Sequence, residues 1–312
     1  MDNKASAPVA VMDLGTNTFH LLIAEGIAAD FKEVVHKTNP VKLGEGGINK
    51  GIIQPSAFER GLTAMRQFKA DLDEHQVSQA RAIATSAVRN AANGQQFIDE
   101  VANNTGIQIE LIDGEQEAEY IYKGVKLAGG LADKTALIMD IGGGSVEFIL
   151  GNAHGILWKQ SFEIGAARLM DKFHQIDPIP ADCINALSIY LKEQLTTLLG
   201  VAQKHPVDTL IGSSGAFETF AEVIELDKGN NFSLKIKNYT FEHANLIEVT
   251  NKLIASSHQQ RKDMQGIIPV RVDMIVVASL ITQFILANLQ INNVCMSTYS
   301  LKEGVLAEMM NA

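Results

Sequence analysis

Val11-Met12-Asp13-Leu14-Gly15-Thr16-Asn17-Thr18-Phe19 and Ile138-Met139-Asp140-Ile141-Gly142-Gly143-Gly144-Ser145-Val146 lie 127 residues apart and read alike. Each runs from an apolar strand through Asp-x-Gly and a small polar turn into a second apolar strand. One Asp-x-Gly turn carries little information, because Asp and Gly populate turns everywhere. Two copies in matching contexts, one per half, point to a duplicated domain with a loop from each half aimed at a common cleft. Glycine lets backbone N–H groups approach a ligand with no side chain in the way, and consecutive N–H groups form an anion nest. Phosphate is the ligand class such loops suit.

A third loop has the same character. Thr209-Leu210-Ile211 runs into Gly212-Ser213-Ser214-Gly215, and Ala216 to Ile224 follows with helical character, so small residues stand where a helix N-terminus favours anions.

Around these loops, strands alternate with helices, which predicts an α/β architecture. Val9 to Met12 and Phe19 to Ala24 form a hairpin. Phe58, Leu62, Met65, Phe68 and Leu72 recur at helical spacing between Gln54 and Glu74, and a strand follows at Arg81 to Ala84. Thr85-Ser86 offers N-caps before Ala87-Val88-Arg89. Ile107 to Ile112 reads as a strand entering Asp113-Gly114, and Glu115 to Gly124 as the helix after it. Gly129-Gly130 to Lys134 interrupts the pattern and marks the domain boundary, dividing the chain into residues 1–125 and 126–312, with a last helix that can pack back on the first domain.

Composition narrows the function. The 312 residues are 46% hydrophobic, enough for a large core, and 36 acidic against 26 basic residues give a net charge of −10. The lack of clustered cations disfavours a broad nucleic-acid face, and no nucleic-acid partner is expected. Cys183 and Cys295 stand outside any zinc or disulfide spacing and read as buried small hydrophobes. Met1 to Val11 lacks the pattern of a signal peptide, and Val272 to Leu289 is interrupted by Asp273, Gln283 and Asn288, so it reads as a core helix and not a membrane span. A cytoplasmic protein without a membrane partner is expected. No GxxxxGK[ST] occurs, Asn49 breaks GxGxxG after Gly44-Glu45-Gly46, and Gly212 to Gly215 is not GxSxG, which excludes a P-loop and disfavours a serine hydrolase.

Five segments occur in a recognisable order: Asp13 to Ile23, Lys42 to Gly46, Thr85 to Ala91, Gly114-Glu115-Gln116-Glu117-Ala118-Glu119 and Asp140 to Glu147. With Ile164 to Leu169, Gly212 to Gly215 and Leu301 to Gly304, the chain resembles the exopolyphosphatase/guanosine pentaphosphate phosphatase family over nearly its whole length. That resemblance implies two duplicated actin-like, ribonuclease H-like α/β domains of the sugar kinase/actin/chaperone ATPase superfamily, with an interdomain cleft. It implies hydrolysis of the terminal phosphoanhydride of inorganic polyphosphate, with a divalent cation, usually magnesium, and K+ as an optional second ion. The alternative is a pppGpp 5′-phosphohydrolase. An actin-like ATPase, a sugar kinase or a non-hydrolytic polyphosphate sensor are readings of other classes. No purine platform can be named near Gly212 to Gly215, which favours the base-free polymer.

By match to the family motif, Glu117 resembles the carboxylate that activates the attacking water, and Glu147 is expected as a second catalytic residue. On spacing alone Glu117 is one of three acids on its helix, beside Glu115 and Glu119. Asp140 and Glu147 flank the glycine turn seven residues apart, and with Asp13 they are the expected metal carboxylates. Asp13, Gly15, Thr16, Asn17, Thr18, Gly142, Gly143, Gly144, Ser145, Gly212, Ser213 and Gly215 are expected to hold phosphate oxygens. Arg89 and Arg168 are expected to add guanidinium forks. Lys42, His20 and Arg271 are weaker candidates, and His20 reads first as a structural hydrogen-bonder. Longer family members carry an extra helical domain. With Ala312 as the last residue, two core domains, a shorter channel and a preference for short chains are expected. A homodimer is the default expectation.

Overall fold

The computed structural model describes residues 7–233 and 235–311. The start of the Met1 to Val11 stretch and Ala312 lie outside the described residues. The chain divides into two units, residues 1–127 with 301–312, and residues 128–300.

The first unit is built on β1 (Val9–Leu14), β2 (Phe19–Ile27), β3 (Asp30–Asn39), α1 (Pro55–Glu74), β4 (Gln79–Ala84), α2 (Ser86–Arg89), α3 (Gly94–Thr105), β5 (Ile109–Leu111) and α4 (Gly114–Leu127). Its sheet runs β3-β2-β1-β4-β5, antiparallel from β3 to β1 and parallel from β1 to β5. The fifth strand is shorter than its apolar run suggests, because only Ala82, Ile83 and Ala84 of β4 pair with it. Phe19, Phe68 and Phe97 are fully buried, with Met12, Leu14 and Leu21, between the sheet and α1 and α3. Thr85 takes the N-cap position of α2 but makes no side-chain capping bond.

The second unit comprises β6 (Ala136–Ile141), β7 (Val146–Asn152), β8 (Gly155–Phe162), α5 (Ala166–Phe173), α6 (Ala181–Gln194), α7 (Thr196–Lys204), β9 (Thr209–Ser213), α8 (Gly215–Asp227), β10 (Asn238–Phe241), α9 (His243–Ala255), α10 (His258–Asp263), α11 (Ile275–Leu289) and β11 (Asn293–Ser297). The sheet order is β8-β7-β6-β9-β11-β10. Its first five members repeat the connectivity and strand directions of the first sheet, and β10 adds an antiparallel edge. The repeat extends to register: Asp13 faces His20 across β1 and β2, and Asp140 faces Glu147 across β6 and β7. This duplicated α/β arrangement is the one the resemblance implied.

Val272 to Leu289 resolves into α11, whose residues from Ile275 to Leu286 are buried at every position but Gln283. No helix among the described residues is long and apolar enough to cross a membrane. Both cysteines are free and half-buried, a departure from the full burial expected of them, and burial pushes the Cys295 thiol up to about 11. Arg261 of α10 is fully buried, its Nε donating to the Val272 carbonyl at 2.7 Å and its Nη2 paired with Asp177. Burial beside this guanidinium holds His174 below the usual histidine range.

After the second unit the chain returns to the first as α12 (Leu301–Asn311). Glu308 anchors this helix: Lys123 Nζ of α4 approaches it at 2.5 Å, the Tyr120 hydroxyl donates at 3.1 Å and Arg81 at 3.2 Å. The Lys123 ammonium and these hydrogen bonds hold the Glu308 carboxyl below its ordinary range. Close approach needs Gly304, since a Cβ there would lie 1.9 Å from the Tyr120 carbonyl oxygen on α4. In an exposed helix Gly→Ala usually stabilises by up to about 1 kcal/mol. Here Gly304→Ala is expected to cost about 3 kcal/mol by overpacking against backbone, read as a lower midpoint in urea unfolding. An unchanged or raised midpoint would refute the close packing of α4 and α12.

Candidate active site

In each unit the loop after the first strand is tied down by its carbonyls. In the second unit Ala166, Ala167 and Gly165 donate their N–H groups to the carbonyls of Gly142, Gly143 and Gly144 at 2.9, 2.9 and 3.2 Å. In the first unit Gly44 N–H donates to Thr16 at 3.0 Å and Lys42 N–H to Asn17 at 2.7 Å. A trans peptide points its N–H opposite to its C=O. Fixing these carbonyls therefore turns the N–H groups of Asn17 and Thr18, and of Gly143, Gly144 and Ser145, to the other side. Successive N–H groups aimed one way make an anion nest.

Glu117 occupies the first turn of α4. A capping box starts that helix: Asp113 Oδ1 accepts from Gln116 N–H at 2.8 Å, and Gln116 Oε1 accepts from Asp113 N–H at 3.2 Å. One residue further on, Glu117 falls on the buried face while Glu115 and Glu119 face solvent. Its Oε2 accepts from Arg89 Nη1 at 3.3 Å, and the same nitrogen donates to the Ile112 carbonyl at 2.9 Å. The end of β4, through α2, and the start of α4 thus bring Arg89 and Glu117 together.

Across the second sheet, Ser161, Glu147, Asp140 and Ser213 are consecutive register partners on four neighbouring strands and share one face. Ser161 Oγ donates to Glu147 Oε1 at 2.6 Å. Glu147 is 1% exposed and Asp140 8%. The matching row of the first sheet reads Thr38, His20, Asp13, Ile83. There His20 Nδ1 and Thr38 Oγ1 are hydrogen-bonded at 3.1 Å, the structural role its sequence context suggested.

The third loop differs from its sequence reading. Gly212 and Ser213 belong to β9 itself, and the helix starts one residue early, at Gly215. Ser214, at the N-cap with φ 75°, donates its Oγ to the Ile141 carbonyl at 3.1 Å. The missing Cβ of Gly212 makes room for the Phe217 ring, whose atoms would come within 2.1 Å, so its smallness serves packing. At Gly215 the Arg271 guanidinium fills the same kind of space, with Nη2 on Glu218 at 2.6 Å and Nη1 on Thr219 Oγ1 at 3.1 Å. Burial, assisted by Glu218, lifts the Glu222 carboxyl above its ordinary range.

These loops and acids sit on a chain whose residues 22–312 match a family model described as the Ppx/GppA phosphatase family. The chain belongs to that family. It is 27% identical over 310 residues to exopolyphosphatase 2 of Mycobacterium tuberculosis, covering 95% of this chain and 97% of that one. It is 26% identical over 312 residues to the guanosine-5′-triphosphate,3′-diphosphate pyrophosphatase of Vibrio campbellii, covering all of this chain and 61% of that protein. The crystal structure of an exopolyphosphatase from Cytophaga hutchinsonii has 42% identity and a TM-score of 0.94, with 97% of this chain and 98% of that chain aligned.

Within this Ppx/GppA family member, the candidate residues fall into separate groups. Asp13, Gly15 to Thr18, Arg89 and Glu117 lie in the first unit; Asp140, Gly142 to Ser145, Glu147, Arg168 and Gly212 to Gly215 lie in the second. Arg168 sends Nε to the Gly144 carbonyl at 2.8 Å and Nη2 to Glu163 at 2.8 Å, so part of its fork braces the glycine loop. Among the described residues, no three or more His, Cys, Asp or Glu side chains are grouped to hold a metal ion by themselves. Magnesium needs fewer, since it keeps several waters and takes one or two carboxylates beside substrate phosphate oxygens. The register pair Asp140 and Glu147 fits that demand. Beside Asp140, the buried Ser213 Oγ has no hydrogen-bond partner, leaving a neutral oxygen at the same end of the row. Sequence reasoning missed Ser161, and its signal is positional: fourteen residues after Glu147, across the next hairpin.

Proposed function

We propose that this protein is an exopolyphosphatase that removes the terminal phosphate of inorganic polyphosphate. The observation that carries the reading is the selective burial of Glu117. Alone among the three acids of its helix turn it is buried, and it is held by Arg89 beside the strand end that carries the motif. In this mechanism the Glu117 carboxylate takes a proton from a water as the water oxygen attacks the terminal phosphorus. The bond from that phosphorus to the bridging oxygen breaks, and the shortened chain leaves with the electron pair. Phosphoryl transfer of this kind is mostly positioning and charge stabilisation. In the first unit the N–H edges of Asn17 and Thr18, and in the second those of Gly143, Gly144 and Ser145, are donors suited to phosphate oxygens, and Arg89 holds the Glu117 carboxylate. Asp140 and Glu147 would hold a divalent cation, which when bound neutralises charge on the phosphate oxygens.

One observation favours polyphosphate over pppGpp. Phe217, the aromatic side chain nearest the third loop in sequence, is fully buried against Gly212 and is not presented for stacking on a purine. Phosphate release measured side by side on tripolyphosphate, long-chain polyphosphate and pppGpp with magnesium tests this. Polyphosphate is expected to give the higher kcat/KM by at least about tenfold. A preference for pppGpp would reassign the protein to the nucleotide reaction, and release from none of them would point to a sensor.

A further inference from the structure

We propose that Arg60 is a positioning residue for phosphate binding, acting through the segment that aims the first loop; this rests on the reading of that loop as a phosphate site. Arg60 lies on α1, outside every motif that marks the site. Its Nε donates to the Val41 carbonyl at 2.7 Å, and its Nη2 donates to the Lys42 carbonyl at 3.1 Å and to Glu45 Oε2 at 2.7 Å. Three acceptors on residues 41–45 are thus gathered on one guanidinium fork, a geometry that Lys cannot reproduce.

What Arg60 holds is the segment that holds the loop. Lys42 and Gly44 are the residues whose N–H groups take the carbonyls of Asn17 and Thr16. Lys42 does so in the left-handed region, at φ 49°, a conformation that a non-glycine residue adopts at a cost and keeps only when its surroundings enforce it. The surroundings here are Arg60 on one side and the loop on the other. The ion pair to Glu45 is partly solvent-exposed and contributes little by itself; the two carbonyl bonds set the direction of the segment. If they are lost, Lys42 relaxes, the Asn17 and Thr16 carbonyls are released, and the N–H groups of Thr18 and Asn17 lose their common aim. The second unit reaches the same end more directly, since Arg168 donates to the loop carbonyl of Gly144 and to Glu163. Each unit therefore braces its loop with one arginine and one nearby glutamate.

The test compares wild type, Arg60→Ala and Arg60→Lys. Amide hydrogen exchange at Lys42 and Gly44 is expected to quicken at least about tenfold in Arg60→Ala. KM for tripolyphosphate should rise about tenfold with kcat within about twofold, because the interaction lost is one of binding. Arg60→Lys should fall between. Unchanged exchange, or an unchanged KM in a folded Arg60→Ala protein, would overturn the proposal. Should Arg60→Ala not fold, Arg60→Lys carries the same measurements. If wild type hydrolyses neither polyphosphate nor pppGpp, the functional reading fails separately. The exchange rates and calorimetric binding of tripolyphosphate then decide the role of Arg60.

Discussion

Replacing Glu117 by Gln is expected to lower phosphate release from polyphosphate by about 10²- to 10⁴-fold, the range associated with loss of a positioned general base. The substitution keeps the volume of the side chain and an oxygen that can still accept from Arg89 Nη1, so packing around the first turn of α4 should survive. The cap made by Asp113 and Gln116 is untouched. What disappears is the capacity to take a proton from water. Glu115→Gln and Glu119→Gln serve as internal controls: both face solvent on the same helix and should retain activity within about twofold, as surface substitutions do. Circular dichroism and thermal unfolding of Glu117→Gln should match wild type. Full activity in Glu117→Gln would remove Glu117 from the proposed role, and equal losses in all three variants would point to helix electrostatics in place of a base.

An effect of similar size is expected from a single methyl group. Gly165 has φ −61° and ψ 160°, torsions open to any residue, so its requirement is space. A Cβ at this position would lie 2.4 Å from the Gly144 carbonyl carbon and 2.5 Å from Gly143 carbon and oxygen. Those atoms are backbone and cannot rotate away as a side chain would. Gly165→Ala must therefore push the glycine loop off the start of α5. The bonds from Gly165, Ala166 and Ala167 would be lengthened, and the peptides of residues 142–145 freed to turn. Misplacement by about 1 Å in a catalytic site costs about 10²-fold in rate, and kcat/KM on tripolyphosphate is expected to fall by at least about that factor. The strands behind the loop should hold, so urea unfolding should shift by only about 1–3 kcal/mol. Wild-type kcat/KM in Gly165→Ala would show that the carbonyl side of this loop does not govern substrate binding.

The sequence carried the large features because they are periodic or repeated. Apolar spacing from Phe58 to Leu72 marked α1, and the paired Asp-x-Gly turns marked both hairpins and the duplication. It carried less where tertiary packing decides. Gly212 reads as a loop glycine by composition, yet the Phe217 ring claims its space, a contact that no local pattern encodes. Arg168 reads as a free fork for phosphate, and only folding shows two of its donors turned to Gly144 and Glu163. The three acids of α4 are indistinguishable by type. Helical phase against the sheet, fixed by the capping box, buries Glu117 and leaves its neighbours in water.

The two hairpins share register and strand order, yet differ in charge opposite the first-strand aspartate: His20 stands opposite Asp13 where Glu147 stands opposite Asp140. A carboxylate facing an imidazole can be neutralised by one proton shared within the pair. A carboxylate facing a carboxylate keeps a negative charge after sharing one proton, and a third group can supply the positive charge it lacks. The same scaffold thus carries different charge demands in its two halves at this register position. Exchanging His20 and Glu147 would show whether the division of labour between the halves is written in that single register position.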